Sequence, residues 1–318
     1  MNLKSVMGIL VGVLAFSSCQ NGQKKNTIST QNEIQDSTEI QSESIKLKKQ
    51  SGTPDLGPNF NPVASEIAYY SYTDVDQSKA KIFVSNLDGS NHREVSTLDS
   101  IGFHTEPKWS PDGKQIAYTN FLAEGAQMRS ISSDGKTLTH LVQVTKDGFH
   151  MFSSWDLSGE GYYFFHWPKD AFTPDAYFAI GNKVERLTEN GRTNRPQITD
   201  GGQLFVNRID DLENYVATKQ LFNKKTKRTQ DMPELEGEFI TGSHSVKTVE
   251  QNNATVFILE DLHGEDIKKL AEVPYKGIMF TTIDKHLKYV AYNTSFEDGA
   301  EIHLVDVITG EIIKLTEN

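Results

Sequence analysis

From residue 55 onward the sequence predicts an all-β fold assembled from six copies of a four-stranded antiparallel unit, and three observations predict it. First, one segment recurs along the chain. Its clearest copy runs from Glu106 to Tyr118 (EPKWSPDGKQIAY), with echoes at Asn59–Tyr69, Trp155–Phe164, Pro196–Phe205 and Ile283–Tyr292. Second, the strand that ends each copy starts near Glu66, Gln115, Gly161, Gln203 and Tyr289, at intervals of roughly 42 to 49 residues. The longer last gap holds a degenerate copy near Val246. Third, each copy is followed by two short alternating segments around a hairpin turn, as at Asp88-Gly89, Asp134-Gly135 and Gly181-Asn182. Such turns need positive φ, which Gly and Asn supply. Four strands per unit at this period define propeller blades, so the expectation is a six-bladed β-propeller over residues 55–318.

The Glu106–Tyr118 segment resembles the WD40-like repeat of TolB-type propellers. That resemblance implies structural roles for the motif. Trp109 and Phe60, and Trp155 in the next copy, would pack between blades, where large aromatics fill the core. Pro111, Asp112 and Gly113 would make the tight turn between first and second strands. The segment before residue 55 reads differently. Lys4 supplies a positive start, Val6–Phe16 is an apolar run too short to span a bilayer, and Phe16-Ser17-Ser18 leads into Cys19. This resembles the lipobox of bacterial lipoproteins, in a relaxed form similar to that of Bacteroidetes. It implies a signal peptide over 1–18 and acylation of Cys19, which anchors the chain to a membrane. Residues 20 to about 52 lack aromatic residues and proline and are rich in Gln, Ser, Thr and Lys, so 19–54 reads as a flexible tether.

Composition narrows the partners. The 318-residue chain carries a net charge of −11, which argues against nucleic acid, since phosphate binding needs a basic footprint. Cys19 is the only cysteine, so neither an internal disulfide nor a cysteine zinc site can form. A closed propeller needs no second copy, and a monomer is expected.

Candidate chemistry sits on the longer loops, those between blades and those joining second to third strands. Gly-Phe-His occurs twice, ending at His104 and at His150, each five residues before the Trp of its copy. Equivalent positions in neighbouring blades would aim both imidazoles at one channel mouth, with Glu106 and Met151 near. Such a set could bind a divalent metal, orient a ligand or hydrogen-bond the loops. A second feature is Phe165–Phe172 (FHWPKDAF), where His166, Trp167, Lys169 and Asp170 could meet a sugar ring or a partner peptide. The same segment could instead be an aromatic plug against the adjacent blade. Asp74, Asp76, Glu124, Asp175 and Glu297 add an acidic rim. No Gly-x-Ser-x-Gly elbow, P-loop, dinucleotide fingerprint or His-Glu-x-x-His occurs.

Two functions follow. One is a non-catalytic binding or scaffold propeller, lipid-anchored in the cell envelope (outer membrane), with an envelope protein or glycan as partner. The other is a metal-assisted polysaccharide lyase, since oligogalacturonide lyases also use TolB-like propellers with histidines holding a metal. In that case His104 and His150, with His166 nearest, would have to serve.

Overall fold

The computed structural model describes residues 53–73, 78–237, 239–241 and 244–317. Cys19, the signal segment, the tether, Asp74 and Asp76 lie outside the described residues. Among these the fold is all-β, with 24 strands and no helix. The strands fall into consecutive sets of four. The first holds β1 (Asp55–Phe60), β2 (Glu66–Tyr72), β3 (Ala80–Asn86) and β4 (Arg93–Glu94), and the second β5 (Phe103–Trp109), β6 (Gln115–Leu122), β7 (Gly125–Ser132) and β8 (Leu138–His140). The third holds β9 (Gly148–Trp155), β10 (Gly161–Trp167), β11 (Asp175–Ile180) and β12 (Lys183–Arg186). The fourth holds β13 (Thr193–Ile198), β14 (Leu204–Asp211), β15 (Val216–Asn223) and β16 (Arg228–Asp231). The fifth holds β17 (Phe239–Thr241), β18 (His244–Gln251), β19 (Ala254–Asp261) and β20 (Asp266–Val273), and the sixth β21 (Thr281–Ile283), β22 (Tyr289–Asn293), β23 (Ile302–Asp306) and β24 (Ile312–Lys314).

Within each set neighbours pair antiparallel in chain order, and the last three sets are separate four-stranded sheets. Short parallel pairings join the first three, at Ala80 with Phe103 and at Gly125 with Gly148. Four of the strand starts expected from the repeat (Glu66, Gln115, Gly161 and Tyr289) are the first residues of β2, β6, β10 and β22.

Apolar clusters lie between successive sets, because each sheet is covered by neighbours on both faces. Trp109 packs with Tyr70, Ile82, Ile116 and Ile131 across the first and second sets, and Trp155 with Ala117, Met128, Phe152 and Tyr177 across the second and third. Trp155 also donates its indole N–H to the Lys108 carbonyl at 3.0 Å. Further clusters join the third to the fourth set, the fourth to the fifth and the fifth to the sixth. A last one, with Ile67, Tyr69, Ile302, Leu304 and the partly buried Phe60, joins the sixth to the first. The aromatic motif residues therefore have the packing role that the repeat implies.

The turn chemistry holds as well. Asp112 Oδ1 accepts from the Ser110 hydroxyl at 2.7 Å and from the Lys114 N–H at 3.1 Å, and Gly113 sits at φ 68 against Asn61 of the first set. Those hydrogen bonds hold the exposed Asp112 carboxyl below its ordinary pKa. Asp112→Ala is expected to cost about 1 kcal/mol in urea denaturation, the worth of an exposed turn hydrogen bond or two.

Candidate functional site

Loops that join a fourth strand to the next first strand leave the sheets at the same end as loops joining second to third strands. The two Gly-Phe-His segments enter β5 and β9 from that end. Their glycines are required by geometry. Gly102 and Gly148 sit at φ 91 and φ 114, and a Cβ on either would run into the second strand of its own set. The histidines then pair across to that strand, His104 opposite Asn120 and His150 opposite His166.

His104 is fully buried, with both ring nitrogens occupied. Nε2–H donates to the Ile101 carbonyl at 3.2 Å and Nδ1 accepts from the Ser96 hydroxyl at 3.0 Å. The carboxylate of Asp99, buried beside it, accepts from Tyr118 Oη at 3.0 Å and Asn120 Nδ2 at 2.9 Å, with Arg129 Nε at 3.7 Å. Lys81 donates to the Asp99 carbonyl. Burial and the nearby Lys81 cation push His104 down to about 4. Asp99, Lys81 and Arg129 carry no sequence signal, because they come from three different elements.

His150 is tied equally firmly. Its Nε2 accepts from the Val144 and Thr145 N–H groups at 3.1 and 3.4 Å, and Nδ1–H donates to the Ala126 carbonyl at 3.3 Å. Burial, with the His166 ring at 4.4 Å, pushes it down to about 4. The Thr145 hydroxyl donates to the Asp147 carbonyl, so it accepts from His166 Nε2–H at 3.0 Å. The expected convergence of His104 and His150 with Glu106 is therefore corrected. Each imidazole fastens its own inter-set loop, while Glu106 faces Arg195 of the fourth set at 3.9 Å. Met151 packs with Ala126, Phe165 and Trp167. Among the described residues no three His, Cys, Asp or Glu side chains assemble in a way that could hold a metal ion.

The aromatic segment also differs from an exposed platform. β10 runs on through Trp167, whose ring is buried and stacks on Phe149 at 4.9 Å and Phe165 at 5.7 Å, with Phe172 edge-on at 5.0 Å. It is the plug, and Ala126 of the second set completes it. Lys169 is exposed and pairs with Glu124, and Asp170 is exposed. Asp175 leaves the acidic rim altogether, being buried and bonded to Arg186 at 2.6 Å, Thr188 at 2.9 Å and the Gly191 N–H at 3.2 Å. Beside it a cleft of about 520 Å³ opens along the third set and the loops that precede and follow it, lined by His166, Tyr177, Arg186 and Glu189 among others.

No family model matches this sequence. Over 69 residues, 22% of this chain, it is 35% identical to the Tol-Pal system protein TolB of Alcanivorax borkumensis. Over 91 residues, 29% of this chain, it is 33% identical to dipeptidyl-peptidase 5 of Porphyromonas endodontalis. These matches span only 15% and 12% of the two relatives' own lengths. Among solved structures it is similar to TolB from Acinetobacter baumannii, with a TM-score of 0.50 at 15% identity over 67% of this chain and 53% of that one. The tricorn protease gives a TM-score of 0.52 at 12% identity over 84% of this chain and 26% of that one. A puromycin hydrolase gives 0.52 at 10% identity over 87% and 56%. The chain thus has an all-β fold of the TolB-like β-propeller type.

Proposed function

We propose that this chain is a lipid-anchored protein of the bacterial cell envelope whose six-bladed propeller is a non-catalytic docking module. The anchor is Cys19 after cleavage of residues 1–18, the tether is 19–54, and the propeller occupies 55–318 as a monomeric ring. The six apolar clusters that run from the first set round to the first again support a ring closed by packing. The resemblance to TolB, a Tol-Pal system protein in its relative, favours an envelope setting.

One observation carries the docking reading. On the loop face the buried histidines are held by hydroxyl and backbone groups of the loops, while large apolar side chains stand exposed. Ile101 is 65% exposed, Leu98 53%, Leu212 42%, Phe296 39% and Phe172 36%. Exposed apolar residues amid acidic ones suit a protein surface with a polar rim. Metal-assisted lysis of a polysaccharide would instead require His104 and His150 to abandon the hydrogen bonds that fasten their loops.

Two measurements test this. Fatty-acid labelling of the expressed chain should be lost in Cys19→Ala; labelling that persists would remove the anchor. A photo-crosslinker at Phe172 should trap one discrete envelope protein in cells, where one at Ile308, 83% exposed on the opposite face, does not. Ile101→Glu should suppress that crosslink without changing the melting temperature. Equal crosslinking from both positions, or a glycan in place of a protein, overturns the docking surface.

A further inference from the structure

The cleft beside Asp175 is built by strand register. His166 of β10 pairs with Asp175 of β11, and Tyr177 of β11 pairs with Arg186 of β12. Residues directly opposite share a sheet face, as do residues two apart along a strand, so all four side chains stand on one face of the third set. Loops on either side deepen that face to about 520 Å³. Sites for small molecules run from about 300 to 1,000 Å³. Val144 and Pro168 give the cleft an apolar wall, and Glu189 and Asn190 a polar one.

Three groups in the cleft are fixed in place yet left open. Tyr177 is 7% exposed, with its ring stacked on Phe164 at 5.2 Å and edge-on to His166 at 5.9 Å. Among the described residues its hydroxyl makes no hydrogen bond, and it is not one of the polar atoms sealed from the surface. Arg186 is held through two nitrogens, Nε–H donating to the Thr188 carbonyl at 3.0 Å and Nη2–H to Asp175 at 2.6 Å. Its side chain is 47% exposed, and Nη1 makes no hydrogen bond among the described residues. Asn190 Oδ1 accepts from the Arg192 N–H and the Thr193 hydroxyl, both at 2.9 Å, which leaves Nδ2 to donate. The exposed Glu189 adds an acceptor, and all four line the same open space.

Charge narrows the ligand. One guanidinium stands against the carboxylates of Asp175 and Glu189, in a chain of net charge −11. A phosphate or carboxylate would meet net repulsion, and a lysine side chain would be set beside Arg186. What fits is a neutral ligand whose groups both donate and accept. Glu189 accepts a proton, Arg186 and Asn190 offer one, and Tyr177 does either, which is the complement of neighbouring hydroxyls. The C–H faces of a sugar ring suit Val144 and Pro168. We propose that this cleft binds a neutral hexose, free or as one residue of a glycan. The proposal goes beyond the docking reading, which rests on the exposed apolar side chains.

Saturation-transfer NMR on the full chain tests it with D-glucose, D-galactose, D-mannose and N-acetyl-D-glucosamine. Their methyl glycosides tell a glycan residue from a free sugar, and D-glucuronate, inorganic phosphate and triglycine are the controls. At least one neutral sugar should give saturable transfer, and no control should. Tyr177→Phe removes only the open hydroxyl and keeps the ring packing, and should weaken binding about fivefold, the loss of one neutral hydrogen bond. Glu189→Gln, on an exposed loop, should weaken it about tenfold, since the lost acceptor is charged. Absence of saturable transfer from every neutral sugar overturns the proposal, as does stronger transfer from a control or unchanged affinity in both variants. The Phe172 crosslink is read separately, so either reading can fail alone.

Discussion

Gly148→Ala is expected to cost about 3 kcal/mol or more, a large part of the stability of an ordinary domain. Gly148 sits at φ 114, where an L side chain is strained whatever the space. Space is lacking too, because the new Cβ would stand 2.7 Å from the Trp167 carbonyl oxygen and 3.0 Å from His166 Nε2. Neither neighbour can retreat. Trp167 is locked between Phe149 and Phe165, and His166 is held by Thr145 and the His150 ring. The parallel pairing to Gly125 adds a third constraint, since a Cβ there would strike the Gly148 carbonyl. Gly181 provides the control. At φ 54 with nothing within 4 Å of a Cβ, Gly181→Ala should lose only the backbone term, about 1 kcal/mol. Urea denaturation of the two variants separates the cases, and equal costs would show that the close approach at Gly148 contributes nothing.

The repeat made the strands legible, and with them the roles of Trp109, Trp155 and Asp112, because those roles are local to one unit or its neighbour. The site was less legible, for two physical reasons. Alternation, which tells an inward residue from an outward one, fails in the second strand of a set packed on both sides. β10, GYYFFHW, is buried along its whole length, so Trp167 read as the start of a loop when it is the end of a core strand. The second reason is distance. Glu106 could be noticed for its place beside His104, but its partner Arg195 lies far along the chain, and only the curvature of successive sheets brings the two together. The bulge that aims Glu106 is invisible in residue types: Gly57-Pro58, Glu106-Pro107 and Arg195-Pro196 share a proline and nothing else. The Gly-Phe-His repeat is plain in the sequence, but residue types alone do not fix its role. A glycine that allows close approach and a histidine that fastens a loop make a structural device as readily as a binding one.

That device carries the second large prediction, a loss of stability on acidification. His104 and His150 are both pushed from 6.5 down to about 4, chiefly by burial. His104 feels the cations of Lys81 and Arg129 against the single carboxylate of Asp99, and His150 feels the His166 ring. His166 and His303 are also shifted down by burial. Above pH 6.5 each ring is neutral in both folded and unfolded chains, so stability is complete there. As pH falls, the unfolded chain takes up protons that the native protein refuses, and each ring removes up to about 1.4 kcal/mol per pH unit. The loss ends near pH 4, where the native rings protonate too, and amounts to something on the order of 3 kcal/mol per ring. Two such rings would use up much of a typical folding free energy, so acid unfolding is expected well before the carboxylates titrate. Urea midpoints measured from pH 7.5 to 4.5 should fall steadily below pH 6.5, and His150→Gln, which keeps an acceptor and a donor but cannot titrate, should flatten the slope. A His150→Gln protein with the parent's slope would show that the ring is protonated in the native state and that Nε2 does not accept from the Val144 and Thr145 amides.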